Sequence, residues 1–210
     1  MGAYMGFDPG GFGAFGWAVI AGESAPFRLV DRGVANHAQG DFEAAMHCGA
    51  PRIDAVGIDA PLFWNAAGDR VSDQLVRKAA TRLGCSGGTV NAVNSLRGSC
   101  LIQGMLNAMI CRQRIARGIL VTEAHPKALL WLIGKATRRH SATSISLSDL
   151  SEYVVGNRVE GANDHERDAA LGAIAAFAMK TRLIGWQDLY ALEPSSITPL
   201  DPPPAYWMPL

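Results

Sequence analysis

The sequence predicts an α/β protein built on a mixed central sheet of about five strands with helices on its faces. Three observations lead there. Three short apolar runs open the chain; from the fourth run onward helical and strand-like segments alternate; and 210 residues, 49% hydrophobic and 18% charged, suffice for one core without disulfides or a structural metal.

Tyr4 to Asp8 is an apolar run stopped by Pro9-Gly10-Gly11. Phe15, Trp17 and Val19 then alternate with small residues, and Phe27 to Val34 makes a third strand, so the opening reads as a β-meander. Asp41 to Cys48 is a short helix started by Gly40 or Asp41, and Ala55 to Ile58 is a buried strand ended by Asp59-Ala60-Pro61. Asp69 to Leu83 is helical and basic, Gly84 to Ser99 is a Gly/Ser/Asn-rich loop, and Leu101 to Arg117 is a long helix broken by Gly118. Gly118 to Thr122 is a strand ending in Glu123, and Pro126 opens a helix through Ile133, since proline suits a first helical turn. After the polar stretch Thr137 to Gly161, the last helix runs from Asp164 to about Leu183, with Asn163 and Glu166 in capping-box register. This organisation is a single domain over residues 1–200, with insertions at about 65–100 and 136–162. A proline-rich tail, residues 201–210, is expected to lie over the surface.

Nineteen basic and nineteen acidic residues give zero net charge, which excludes a protein that holds long nucleic acid by overall charge. The distribution is uneven. Residues 70–117 carry eight Lys and Arg against one acid, Asp73, and 15 of the 19 basic residues are Arg, whose planar fork suits phosphate. Arg70, Arg77 and Arg97 of this stretch are the candidate substrate-binding residues. Cys48, Cys85, Cys100 and Cys111 show neither a CxxC pair nor zinc-ligand spacing and read as reduced thiols. The N-terminus lacks the basic and apolar regions of a signal peptide, and no window approaches ~18 uninterrupted apolar residues, so the expectation is a cytoplasmic protein with no membrane partner.

Three predicted strands end in an acid: Asp8, Asp59 and Glu123. In α/β sheets ligands bind beyond the carboxyl ends of the strands, and parallel strands bring such ends together. Asp164 and Asp168, four apart on the last helix, add two more carboxylates. Two bare carboxylates ~4 Å apart repel by about 4 kcal/mol at an effective dielectric of ~20, so such a cluster shares protons or binds cations. All-oxygen ligation favours magnesium or manganese, and two ions would clamp the attacking and leaving oxygens of a phosphodiester. The candidate metal ligands are Asp8, Asp59, Asp164 and Asp168; the candidate catalytic residues are Asp8, Asp59, Glu123 and Asp168, with Glu123 or Asp164 orienting water.

GFDPGG with FGWAV, then VGIDAPL, VTEAHPKALL and DHERDAALGAIAAFA, resembles domain-of-unknown-function family 429, predicted nucleases of the ribonuclease H-like superfamily, from Tyr4 to about Met179. The opening GFDPG also looks like the first strand of the RuvC-type Holliday-junction resolvases. That resemblance implies a ribonuclease H-like fold, a metal-dependent nuclease acting on nucleic acid, and Asp8, Asp59 and Asp168 as metal ligands. Resolvases place their final acids three apart, whereas Asp164 and Asp168 are four apart with His165 between them. A non-catalytic nucleic-acid- or nucleotide-binding domain of the same fold is the alternative. A further rival is a dinucleotide site, because Gly11, Gly13 and Gly16 spell GxGxxG after a strand with Asp31 near the ribose distance. Gly84-Cys85-Ser86-Gly87-Gly88 matches GxSxG, yet it follows a helical segment instead of a strand.

Overall fold

The computed structural model describes residues 2–50, 52–65, 69–91 and 98–210. Strands β1 (Ala3–Asp8), β2 (Phe15–Ala21) and β3 (Phe27–Ala35) form the antiparallel meander the alternation predicts. Helix α1 (Ala38–Met46) leads to β4 (Ile53–Ile58), which pairs parallel with β1. A short β5 (Trp64–Asn65) precedes α2 (Val71–Leu83) and α3 (Gly98–Arg114); β6 (Leu120–Glu123) then pairs parallel with β4. Helix α4 (Pro126–Leu132), β7 (Val154–Val155), α5 (Asp164–Thr181), β8 (Gln187–Asp188), β9 (Ser196–Ile197) and β10 (Ala205–Met208) complete the chain.

The sheet order is β7-β3-β2-β1-β4-β6-β10-β8, with β5 and β9 forming a separate pair. The mixed α/β sheet is as expected, with more than the five strands foreseen. The additional strands are two to four residues long, too short for a period-2 pattern to register. The reading of residues 201–210 as a surface tail is corrected for its second half. Ala205–Met208 pairs parallel with β6, Tyr206 and Met208 are fully buried, and the Trp207 amide donates to Thr122 Oγ1 at 3.0 Å.

Period-2 alternation divides the core between the two faces. Met5, Phe7, Val19, Val56 and Ile58 pack with α1 and α3. Tyr4, Ala18, Ile20 and Ala55 pack on the other face with α4 and α5. Helix α5 is buried on almost every side from Glu166 to Met179, and its alanines let it lie against the strand backbones. A Cβ on Gly6 would sit 1.8 Å from the Ala169 carbonyl, and one on Gly57 2.0 Å from that of Gly172. The predicted capping box is present: Glu166 N donates to Asn163 Oδ1 at 3.0 Å and Asn163 N to Glu166 Oε2 at 2.9 Å. Helix α1 differs from expectation, since His37 caps it and Asp41 turns inward, fully buried. The stretch 136–162 is more than a polar excursion, because Ile145, Leu147, Leu150, Val154 and Val159 all join the core. Among the described residues, no helix is long and apolar enough to cross a membrane.

Candidate active site

The parallel register that pairs Gly6 with Gly57 and Phe7 with Ile58 carries on to Asp8 and Asp59, and the Asp59 amide donates to the Phe7 carbonyl at 2.8 Å. Asp8 ends β1, Asp59 follows β4, and α5 crosses this face of both strands, so Asp168 on its second turn comes to the same place. An open cleft at these strand ends is lined by Asp8, Asp59, Cys100, Glu123, His125 and Lys127.

Asp59 and Asp168 both sense neighbouring carboxylates. Asp59 is pushed well above the ordinary carboxylate range by desolvation and then by the charges of Asp8 and Asp168, with Lys127 pulling the other way. Burial, with Asp8 adding to it, raises Asp168 to about 6 against the pull of Arg167 and Lys127. Arg167 Nε donates to Asp168 Oδ1 at 2.8 Å, and Lys127 Nζ stands 3.8 Å from Asp168 Oδ2. The Cys100 thiol is pushed up to about 12 by burial and by Asp59 and Asp8, which keeps it an unreactive thiol. His125 is lowered to about 4 by burial and the nearby cations Arg70, Lys127 and Arg77, so its imidazole is neutral. Its Nδ1 is buried without a hydrogen-bond partner.

His165, which the sequence places beside the site without a partner, meets Asp8. Its Nδ1 lies 2.6 Å from Asp8 Oδ2, and its pKa is raised first by that hydrogen bond. His165 is three residues before Asp168, one helical turn away on the same face, and therefore stands in the position expected of Asp164. Asp164 is exposed and lines a separate depression with Ser146, Asn163 and Arg167. A three-residue spacing back from Asp168 was the available signal.

Glu123 reaches the cleft but is heavily engaged. Arg70 donates to both its oxygens, at 2.9 and 2.6 Å, and the Leu62 amide donates to Oε2 at 3.0 Å. Arg70 also donates to both oxygens of Asp73 at 2.8 Å and to the Phe63 carbonyl at 3.1 Å, so all five of its N–H donors are in use. Despite its burial, the two carboxylates hold Arg70 firmly protonated. The phosphate role read for Arg70 does not fit this placement, because no donor faces outward. Arg77 pairs with Asp69 at 2.8 Å, and Arg97 lies outside the described residues.

Asp8, Asp59 and Asp168 are hard oxygen donors carrying mutually repelling charge, which suits magnesium or manganese in kind. In spacing they are looser. Among the described residues, no three His, Cys, Asp or Glu side chains are grouped closely enough to hold an ion. The dinucleotide rival is overturned: Gly11 and Gly13 lie in the β1–β2 turn and Gly16 in β2, so no helix N-terminus follows to receive a pyrophosphate.

No family model matches the sequence, and no curated protein matches it. A solved structure resembles it. The Thermus thermophilus RuvC structure superposes with a TM-score of 0.49 at 14% identity, covering 86% of this chain and 96% of that one. The functional reading rests on the cleft alone.

Proposed function

We propose that this chain is a metal-dependent nuclease that hydrolyses phosphodiester bonds of nucleic acid. The supporting observation is the convergence of Asp8, Asp59 and Asp168 at one end of the sheet, where each raises or feels the charge of the others, with Arg167 and Lys127 as the cations beside Asp168. Such a cluster is costly unless it serves to bind a cation or a proton. Asp8, Asp59 and Asp168 would hold magnesium or manganese, with two ions the reading carried from the sequence. Bound there, the metal supplies Lewis-acid polarisation of the phosphodiester oxygens. The chain's own groups have separate tasks. Asp8 accepts from His165 and so fixes that imidazole at the rim; Lys127, half-exposed, can turn from Asp168 to a phosphate; and Arg70 and Glu123 brace the Leu62 and Phe63 segment that follows Asp59. Arg77 and Arg97 remain the proposed phosphate contacts from the basic stretch.

The loose spacing of the acids and the full engagement of Glu123 favour a second reading, a nucleic-acid-binding domain that does not cleave. One experiment separates them. Wild type and Asp59→Asn are incubated with single-stranded, duplex, hybrid and branched substrates in manganese, while affinity is measured in parallel. Cleavage by wild type that vanishes in Asp59→Asn with affinity retained supports the nuclease. Binding by wild type with cleavage of no substrate supports the second reading.

A further inference from the structure

The glycine-rich turn after Asp8 is explained neither by a dinucleotide nor by the acid cluster, and it presents a strongly exposed aromatic side chain. The protein has seven phenylalanines. Six are buried, the most exposed of them Phe177 at 6%, whereas Phe12 is 87% exposed. Its placement is specified. The Ala14 amide donates to the Gly11 carbonyl at 3.0 Å, closing a four-residue turn, and Gly13 has φ +69°, the value that position i+2 of a type II turn requires. Phe12 is thus held at the outer corner, i+1. Gly16 serves a different end: a Cβ there would lie 2.2 Å from the His165 carbonyl, so its lack of a side chain lets the start of α5 approach Asp8.

The turn joins β1 to β2 immediately beyond Asp8, which pairs with Gly16, at the end of the sheet where the acids gather. Four residues span at most about 14 Å, so Phe12 lies within about four nucleotides, at ~3.4 Å rise each, of a phosphate held over Asp8. We infer that Phe12 is a specificity-determining residue whose ring stacks on an unpaired base flanking the scissile phosphate. The inference rests on the nuclease reading and adds a substrate class to it. Inside a duplex both faces of a base are covered by its neighbours, so a single aromatic ring on a rigid turn finds a partner only where a base is unstacked: in a single strand, a flap or a branch.

The test measures binding separately from cleavage. Affinities of wild type, Phe12→Ala and Phe12→Trp for single-stranded DNA and RNA, for the same strands carrying abasic sites, and for blunt duplex are measured by fluorescence anisotropy in EDTA and again in calcium. Phe12→Ala is expected to weaken single-strand binding roughly five- to hundredfold, and Phe12→Trp to retain it. On abasic strands wild type and Phe12→Ala converge, and on duplex they do not differ. Thermal stability of the variants stays at the wild-type value, because the side chain touches solvent. If wild type binds single strands and Phe12→Ala binds them equally well, or if the loss persists on abasic strands, the inference is overturned and the nuclease reading stands. If wild type binds no oligonucleotide in either condition, the nuclease reading falls and takes this one with it.

Discussion

Asp41 has no access to solvent; the Phe42 amide donates to its Oδ1 at 2.6 Å, and Asn107 Nδ2 lies 3.3 Å from each of its oxygens. Burial raises it to about 9, so it is protonated in the folded protein at neutral pH, whereas in the unfolded chain it ionises near 4. The folded state therefore binds the extra proton between those values, and the contribution of Asp41 to stability is greatest at acid pH and falls as pH rises toward 9. One such group contributes a slope of about 1.4 kcal/mol per pH unit. Other raised acids, Asp59 and Asp168 among them, add to the wild-type slope, so a difference measurement isolates Asp41. Urea unfolding of wild type and Asp41→Asn at pH 5, 7 and 8.5 should show the variant gaining on wild type as pH rises. Parallel curves would mean that Asp41 ionises normally in the fold.

At the scale of elements, the approach of α5 to the sheet decides where the acids meet. The helix rests on backbone at Gly6 and Gly57, with no side chain as spacer, and this closeness brings Asp168 to Asp8 and Asp59. Gly57→Ala would drive a methyl group to 2.0 Å from the Gly172 carbonyl, an overlap with backbone that no rotamer relieves. Overpacking of this kind costs about 1–3 kcal/mol or more, and in a domain of this size each kcal/mol shifts Tm by roughly 2–4 °C. Gly57→Ala should therefore melt roughly 5–10 °C below wild type. Gly11→Ala is the matched control, since a Cβ there meets nothing within 4 Å, and it should melt with wild type. Equal melting of all three would show that α5 stands off from the sheet.

For the whole molecule, the sheet continues past the strands that carry acids. β10 extends it beside β6, pairing Tyr206 with Glu123, so the last residues of the chain back the element that holds Glu123. Tyr206 also lies under the Arg70 guanidinium, 5.8 Å from ring centre to Cζ. Removing residues 204–210 deletes the fully buried Tyr206 and Met208 and uncovers the edge of β6. The shortened protein should lose several kcal/mol, at about 1.5–3 kcal/mol for each large apolar side chain no longer buried, and should bind hydrophobic dye in its native state. A truncated protein with the wild-type melting temperature and no dye binding would overturn the structural role of β10.

The strands that lead to Asp8, Asp59 and Glu123, the capping box of α5 and the apolar faces of the meander are legible along the chain, because each is written in residues that neighbour one another in sequence. Alternation, strand-stopping acids and caps are local signals, and the mixed α/β class follows from their order. The partners were set by contacts between distant segments. Arg70 stands 53 residues from Glu123, and its positive charge, visible in the sequence as a phosphate ligand, is spent on two buried carboxylates instead. His165 stands 157 residues from Asp8 and takes the place that a count of acids gave to Asp164. Asp41 reads as a helix-starting acid and is buried, while the proline-rich end conceals a core strand too short to carry a period. A side chain's charge and size belong to the residue, but its burial and its partner belong to whatever the fold brings within a few ångströms of it.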